Sequence, residues 1–301
     1  MSNRWIVAIV LFVVAIGSVI FHLMTPWWST EIASNWHQID LTITITFWIT
    51  GVVYVAIIMF MAWCIYKYRH SPTRRAAYEP ENKKLEIWLT VFTTIGVAGL
   101  LAPGLIVWNK YVQVPKDAVE VEVVGKQWEW SYRFPGKDGK FGKTAVRFIN
   151  GDNPFGIDPK DPNGKDDILV EDINVSLLEG KNYKVLLRSI DVLHDFYVPQ
   201  FRAKMDLVPG LVTYFWLRTA RKGEFDILCA ELCGVGHHTM RGRVSVVNQA
   251  DFETFLEEQT TFAKQQEEAR LRRERAAKAR AAKRAPGKTT EQAARRTADT
   301  R

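Results

Sequence analysis

Three uncharged stretches, Trp5 to Met24 (20 residues), Leu41 to Tyr66 (26) and Ile87 to Trp108 (22), decide what this chain can fold into. Each reaches the roughly 20 apolar residues that cross a hydrocarbon layer about 30 Å thick, and a helix in a soluble core is seldom apolar on every face for so long. The second and third predict a transmembrane helical hairpin over residues 41–111. The first is open to two readings. Arg4 ahead of an apolar run resembles a signal peptide, but the run exceeds the roughly 7–15 residues of an h-region and no Ala-x-Ala site follows it, which favours an uncleaved additional helix. Residues 1–40 are accordingly an anchor or signal segment with its loop. Lys67, Arg69, Arg74, Arg75, Lys83 and Lys84 gather in the hairpin loop, 67–84, which the positive-inside rule keeps in the cytoplasm. The expectation is a multi-pass protein of a bacterial inner membrane. Everything after Trp108 then lies in the periplasm, where thiols persist mainly as disulfides or metal ligands.

The net charge of +7 suggests nucleic acid only until it is divided by region. Residues 261–301 carry 13 Lys and Arg against 5 Asp and Glu, leaving 27 basic and 28 acidic residues elsewhere, so the basicity belongs to the tail. No nucleic-acid partner is expected. From Arg270-Leu-Arg-Arg-Glu-Arg onward the tail is rich in Ala, Arg and Lys and nearly free of large apolar side chains, so it cannot fold by itself. Residues 251–301 read as a charged tail, disordered or helical, with anionic membrane lipid as a second option for its contacts.

Past Val114-Pro115 the period of the sequence changes. Val119, Val121 and Val123 alternate with Glu120 and Glu122, the two-residue repeat of a half-buried strand. Further β-rich stretches lie at 127–134, 183–189, 211–219, 224–228 and 242–247. Short strands separated by Gly, Pro and Asp predict one β-sandwich or barrel domain over residues 112–250. Residues 136–167 are rich in Gly, Pro, Asp and Asn without periodicity and read as a long loop. Asp158, Asp161, Asn163, Gly164 and Asp166 lack the spacing of a calcium-binding EF-hand, so a solvated loop is preferred. No internal repeat is present.

The chemistry is concentrated further on, in Cys229-Ala-Glu231-Leu-Cys233-Gly-Val-Gly236-His237-His238-Thr-Met240. Thiolate and thioether sulfur select copper over calcium, magnesium or manganese, and closed zinc sites seldom use Met. A mononuclear blue-copper site uses one thiolate, two imidazoles and a weak axial Met, whereas a second Cys four residues on can let two sulfurs bridge a pair of copper ions. The alternative for Cys229 and Cys233 is a structural disulfide, which i and i+4 positions can sometimes form; His and Met at fixed offsets oppose it. Upstream, Asp191-Val-Leu-His194-Asp-Phe-Tyr-Val-Pro199 supplies a second His from a different strand. His238 reads as an exposed neighbour of His237, and Cys64 as a small apolar residue within the second span.

With the helical hairpin, the Gln127-Trp128-Glu129-Trp130-Ser131-Tyr132 block and the Lys204-Met-Asp206-x-Val-Pro209-Gly210 turn, the Cys-His-Met cluster resembles subunit II of cytochrome c oxidase over residues 40–250. The resemblance implies a cupredoxin-like antiparallel β-sandwich or barrel behind the membrane helices. It implies a dinuclear copper A centre bridged by Cys229 and Cys233, with His194 and His237 as imidazole ligands and Met240 and the main-chain carbonyl of Glu231 as weak ones. The Glu231 side chain would help bind magnesium or manganese shared with subunit I. Trp128 would be the indole through which an electron from cytochrome c enters; otherwise it is a core aromatic on a strand face. Glu129 stands where the family usually has an aromatic. Glu86 resembles the glutamate at the mouth of a proton path into subunit I, and is otherwise a carboxylate favoured by the dipole at a helix start.

Cytochrome c is basic, so an acidic docking face is expected, with steering that weakens as salt rises. Asp191 matches a family acidic position, and Asp166, Asp167, Glu171, Asp172 and Asp195 are further candidates. The function implied is acceptance of electrons from cytochrome c and their transfer to the heme and copper of subunit I for oxygen reduction coupled to proton pumping, with subunits I and III as partners. No heme and no catalytic oxygen site are expected here, because the spans hold no cluster of His residues. Three other readings compete: a quinol oxidase subunit II-like protein, which lacks the copper ligands; nitrous-oxide reductase, opposed by the spans and the absence of propeller repeats; and a membrane-anchored copper carrier.

Overall fold

The computed structural model describes residues 4–24, 30–75 and 77–284; the two ends of the chain, and with them the last part of the tail, lie outside the described residues. The three apolar stretches form α1 (Arg4–Met24), α2 (His37–Lys67) and α3 (Lys83–Val112), all long and apolar enough to span a membrane. At 1.5 Å per residue, α2 and α3 are rods of about 45 Å, so both outrun a hydrocarbon layer. Large apolar side chains such as Phe47, Trp48, Phe92 and Leu105 point outward. That is the wrong surface for water and the right one for lipid. Asn82 starts α3 by accepting a hydrogen bond from Leu85 N at 3.1 Å, which satisfies one of the amides a helix start leaves free. The first stretch packs along α2, with Ser18 Oγ 3.3 Å from Tyr54 OH.

Beyond Val112 the described residues build eleven strands: β1 (Val119–Lys126), β2 (Glu129–Phe134), β3 (Ile168–Val170), β4 (Asn174–Leu178), β5 (Asn182–Ser189), β6 (His194–Val198), β7 (Ala203–Leu207), β8 (Thr213–Arg218), β9 (Gly223–Cys229), β10 (Arg241–Val247) and β11 (Thr260–Thr261). They form two sheets, ordered β11-β3-β2-β1-β5-β8 and β4-β10-β9-β6-β7. Alternate residues point inward, as the strict alternation of β5 illustrates. Val121, Val123, Tyr132, Leu187, Phe196, Phe215, Leu217 and Val244 meet in one core. The sandwich expected from the sequence is present, with one correction: its sheets are mixed rather than wholly antiparallel. β1 pairs with β5 in parallel, and β4 with β10. Parallel pairing needs a long crossover, and the 135–167 loop with β3 and β4 provides one between β1 and β5.

A second correction concerns residues 251–301. The chain continues past Val247 into α4 (Gln249–Glu258), whose Phe252 and Phe255 meet the Phe134 ring at 6.1 and 6.3 Å. β11 then adds to the edge of β3, and α5 (Phe262–Arg284) begins by burying Phe262, Gln265 and Ala269. The part of the tail up to about residue 269 therefore belongs to the folded domain. Composition misleads here because only three side chains are needed to dock a helix already anchored by a strand.

Helices and sandwich meet through aromatic groups. Trp36 donates from Nε1 to Trp216 O at 3.0 Å, Trp216 donates likewise to Lys110 O at 3.0 Å, and the Trp36 ring lies 5.0 Å from Tyr111. Arg202, held at φ 55°, reaches across to Asp40 with Nε–Oδ1 2.5 Å and Nη2–Oδ2 2.9 Å. Ala33 bonds both Gln200 O and, through its own carbonyl, Ala220 N.

Candidate metal centre

His194 begins β6 and Cys229 ends β9, and these neighbouring antiparallel strands bring both side chains to one end of the sandwich. The following loop folds back: Cys229 N donates to Met240 O at 3.2 Å, His237 N to Gly234 O at 3.1 Å and Met240 N to His237 O at 3.3 Å. Gly234 sits at φ 122°, a conformation that L side chains rarely adopt. Close approach also demands Gly125 in β1, where a Cβ would come within 2.9 Å of Leu207 and 3.2 Å of the Trp130 ring.

The ligand atoms converge. Cys229 Sγ and Cys233 Sγ are 3.7 Å apart, too far for a disulfide bond, and both cysteines are free. Cys233 Sγ lies 3.6 Å from His237 Nδ1 and 3.9 Å from Met240 Sδ. One nitrogen of His194 falls within 4.8 Å of both sulfurs. His194 is fully buried, its Nε2 is 2.8 Å from Asp191 Oδ1, and its Nδ1 has no hydrogen-bond partner among the described residues. A buried ring nitrogen without a partner is costly, and a soft metal beside two sulfurs would satisfy it. The residues fit copper on that ground. The Glu231 carbonyl belongs to the same cluster, since Cys229 Sγ donates to it at 3.2 Å.

Electrostatics prepare the thiols. Burial opposes ionisation of Cys229, but His194 and the main chain at Asp195 and Glu231 outweigh it and bring the group down to about 6. Cys233, buried beside that sulfur, is pushed up to about 11. For His194, burial acts to lower the pKa, and the Cys229 and Asp191 side chains overcome it and raise the ring. A metal binds thiolates, so its binding releases whatever protons the two sulfurs hold.

Trp128 occupies the turn between β1 and β2 and follows a cis Gln127–Trp128 peptide bond. It is 36% exposed, and its Nε1 is 3.4 Å from Cys233 O. It is therefore not a core aromatic. Gln127 donates from Nε2 to the same carbonyl at 2.8 Å, a role the sequence did not signal. A Cβ on Gly236 would lie 2.3 Å from the Trp128 ring, so the copper loop packs directly on the indole. His238 is exposed, as expected.

The acidic residues fare differently. Asp191, expected at the docking surface, instead holds His194 and also accepts from Gln127 N and Val192 N, both at 2.6 Å; its spacing of three from His194 was the available signal. Two docking assignments are corrected. Asp195 is fully buried 3.1 Å from Lys204 Nζ, where burial and the adjacent Asp206 push it up to about 7. Asp167 is fully buried 2.8 Å from Arg133 Nη1. Neither can present charge to a partner. Asp166 precedes β3 beside the C-terminal end of β2, and Trp128 precedes its start; six residues of strand separate them by about 20 Å. Glu171 and Asp172 are exposed, and Glu86 is exposed in the first turn of α3, at the end remote from the sandwich.

Residues 119–247 match the family model described as cytochrome c oxidase subunit II, periplasmic domain. The alternative cytochrome c oxidase subunit 2 of Bradyrhizobium diazoefficiens is 59% identical over 257 residues, covering 85% of this chain and 93% of that protein. Cytochrome c oxidase subunit 2 of Cereibacter sphaeroides is 26% identical over 238 residues, covering 76% and 78%. Among solved structures, the periplasmic domain of subunit II (CoxB) of Bradyrhizobium japonicum shares 30% identity, covering 48% of this chain and 95% of that one, with a TM-score of 0.35.

Proposed function

This chain belongs to the cytochrome c oxidase subunit II family, and on that premise we propose that it receives electrons from a cytochrome c at a dinuclear copper A centre and passes them inward to subunit I. As a family member it is one subunit of a heme-copper oxidase, works in association with other oxidase subunits, and joins apolar helices to a copper-binding periplasmic domain. The observation that carries the proposal is the buried His194, whose Nδ1 has no hydrogen-bond partner among the described residues and one of whose ring nitrogens lies within 4.8 Å of the sulfurs of Cys229 and Cys233, both free.

Cys229 and Cys233 would hold the copper through their thiolates, His194 and His237 through one imidazole nitrogen each, and Met240 and the Glu231 carbonyl more weakly. Copper A, when bound, stores and releases one electron over two metals and two sulfurs with little change in geometry. The chain's own residues keep that cost low. Burial of Cys229, Cys233, Met240 and His194 excludes water from the site, and Asp191 fixes the tautomer and tilt of His194 as such outer carboxylates do. Trp128, bonded to the carbonyl of Cys233, is where the electron enters. The Glu231 side chain contributes to a magnesium or manganese ion shared with subunit I, a hard carboxylate suited to a hard ion. Glu86 stands at the mouth of a proton path into subunit I. The three apolar helices span an inner membrane, and subunit III is a further partner.

The test is to load the full-length chain, purified in detergent, with copper and record its visible and EPR spectra. A purple, mixed-valence signal with hyperfine coupling to two equivalent copper nuclei is expected. A blue spectrum from a single copper, or colourless oxidised protein, would overturn the dinuclear assignment.

A further inference from the structure

We infer that Gln127 is a positioning residue of the copper centre: its main-chain amide holds His194 through Asp191, its side-chain amide holds Cys233 by the main-chain carbonyl, and the second of these bonds raises the reduction potential of the bound metal. The inference deepens the copper assignment and rests on it. His194 and Cys233 come from separate stretches of chain, the start of β6 and the loop after β9, and Gln127 reaches both from the turn between β1 and β2. Its N donates to Asp191 Oδ2 at 2.6 Å, and the other oxygen of that carboxylate lies 2.8 Å from His194 Nε2. Its Nε2 donates to Cys233 O at 2.8 Å. The approach is close, since a Cβ on Gly234 would lie 3.0 Å from Gln127 Nε2.

Little else holds that part of the loop from outside. Among the described residues, the main chain from Cys233 to Thr239 is bonded by no side chain beyond the loop except Gln127 and, at 3.4 Å, Trp128. The turn that carries Gln127 is itself braced, because Lys126 and Glu129 on either side of it pair at 2.6 Å. The carboxamide also acts electrically. An amide N–H presents the positive end of its dipole, and aimed at the carbonyl of a ligating cysteine it draws electron density from the site and favours the state that holds the extra electron. Hydrogen bonding around a ligating cysteine is one of the levers that set such potentials. Glutamine does this without a net charge, whereas glutamate of the same shape would set lone pairs against the carbonyl.

The experiment compares the unaltered full-length chain in detergent with Gln127→Met, which keeps length and loses the donor, and with Gln127→Glu, which replaces the donor by an acceptor. Both keep the main-chain amide that bonds Asp191. Phe262→Ala serves as the control, because Phe262 packs with Phe155, Ile157 and Leu169 in a second small core and touches no copper ligand. Copper-loaded samples are titrated for reduction potential and examined by EPR, and the metal-free samples are followed by amide hydrogen exchange over residues 230–236. All four proteins are expected to keep the mixed-valence signal. In Gln127→Met the ratio of reduced to oxidised centre at a fixed potential should fall about three- to tenfold, the worth of one hydrogen bond, and it should fall further in Gln127→Glu. Exchange in the metal-free loop should quicken by a similar factor in both variants. Phe262→Ala should melt earlier with its potential unchanged. Equal potentials in the unaltered chain and both Gln127 variants would overturn the inference, as would a shift of the same size in Phe262→Ala. Failure of both Gln127 variants to fold would overturn it too, by making the residue one that folding needs rather than one that sets the site. An unaltered chain that binds one copper or none would instead count against the functional proposal, while the exchange comparison on metal-free protein would still decide whether Gln127 holds the loop.

Discussion

His194 illustrates how the surroundings of a single side chain can suit it to a metal. Asp191 takes one ring nitrogen and the other has no hydrogen-bond partner among the described residues, so Asp191→Asn should retain the fold but weaken copper binding by about 10- to 100-fold, as loss of an outer carboxylate typically does. A competitive copper titration checks this, and unchanged affinity would contradict it. Cys233→Ser should abolish the mixed-valence signal, whereas Met240→Leu should keep copper and shift its reduction potential, since a weak axial ligand tunes potential more than it holds metal. Redox titration of the visible bands separates the two outcomes. The cluster of sulfur and imidazole side chains was legible in the sequence because Cys229, Cys233, His237 and Met240 fall within twelve residues and soft donors in that density admit few metals. The role of Asp191 was signalled only by its spacing of three from His194, because a carboxylate on a loop otherwise reads as solvated charge until its partners are known. Asp195 was misread for a related reason: it follows His194 on a strand whose two faces are both covered, so alternation gave no hint that it pointed inward.

At the scale of elements, a buried ion cluster ties the long loop to the sheet. Arg133 on β2 bonds Glu122 on β1 at 2.5 Å and Asp167 at 2.8 Å, while Arg188 on β5 bonds Glu122 at 2.5 Å and Phe155 O at 2.8 Å. Arg133→Met would leave two buried carboxylates without that partner and should cost about 3–5 kcal/mol, visible as a lowered denaturation midpoint. Burial, against the pull of Arg133, raises Asp167 from 3.8 to about 6. A carboxyl that holds its proton more tightly when folded favours the fold below its unfolded pKa, and that contribution is lost as pH climbs through the folded value. The stability of the unaltered protein relative to Asp167→Asn should accordingly decline between about pH 4 and about pH 6; a constant difference across that window would sink the assignment. For the tail, Phe262→Ala should destabilise the domain by about 3–5 kcal/mol, while removal of residues beyond 275 should leave its melting temperature nearly unchanged. The apolar helices were legible from the length of their uncharged runs, β1 from its two-residue period, and β5 and β10 as β-rich stretches. β3 and β4 were not, since strands of 3 and 5 residues carry too little alternation to stand out from the loop around them.

Taken as one molecule, the protein is two bodies of opposite solvent preference joined through Trp36, Tyr111, Trp216 and the Arg202–Asp40 pair. Aromatic rings with one polar atom suit the boundary between lipid and water, and here they also close hydrogen bonds between helix and strand. Trp36→Ala should leave the copper spectrum intact yet raise protease sensitivity of the 113–118 connection, because it removes the wedge that fixes the sandwich over the helices; equal digestion rates would show the wedge to be dispensable. The parallel pairing of β1 with β5 has a consequence for biosynthesis. β1 leaves the bilayer first, and its Val-rich edge waits for a mate more than fifty residues away in the chain, so the nascent sandwich spends its assembly with an open flank in a compartment crowded with other unfolded chains. Being leashed to α3 holds that flank near one spot on the membrane surface, where neighbours arrive only by lateral diffusion, and gives a slow, long-range closure time to finish before a stranger's strand takes the vacancy.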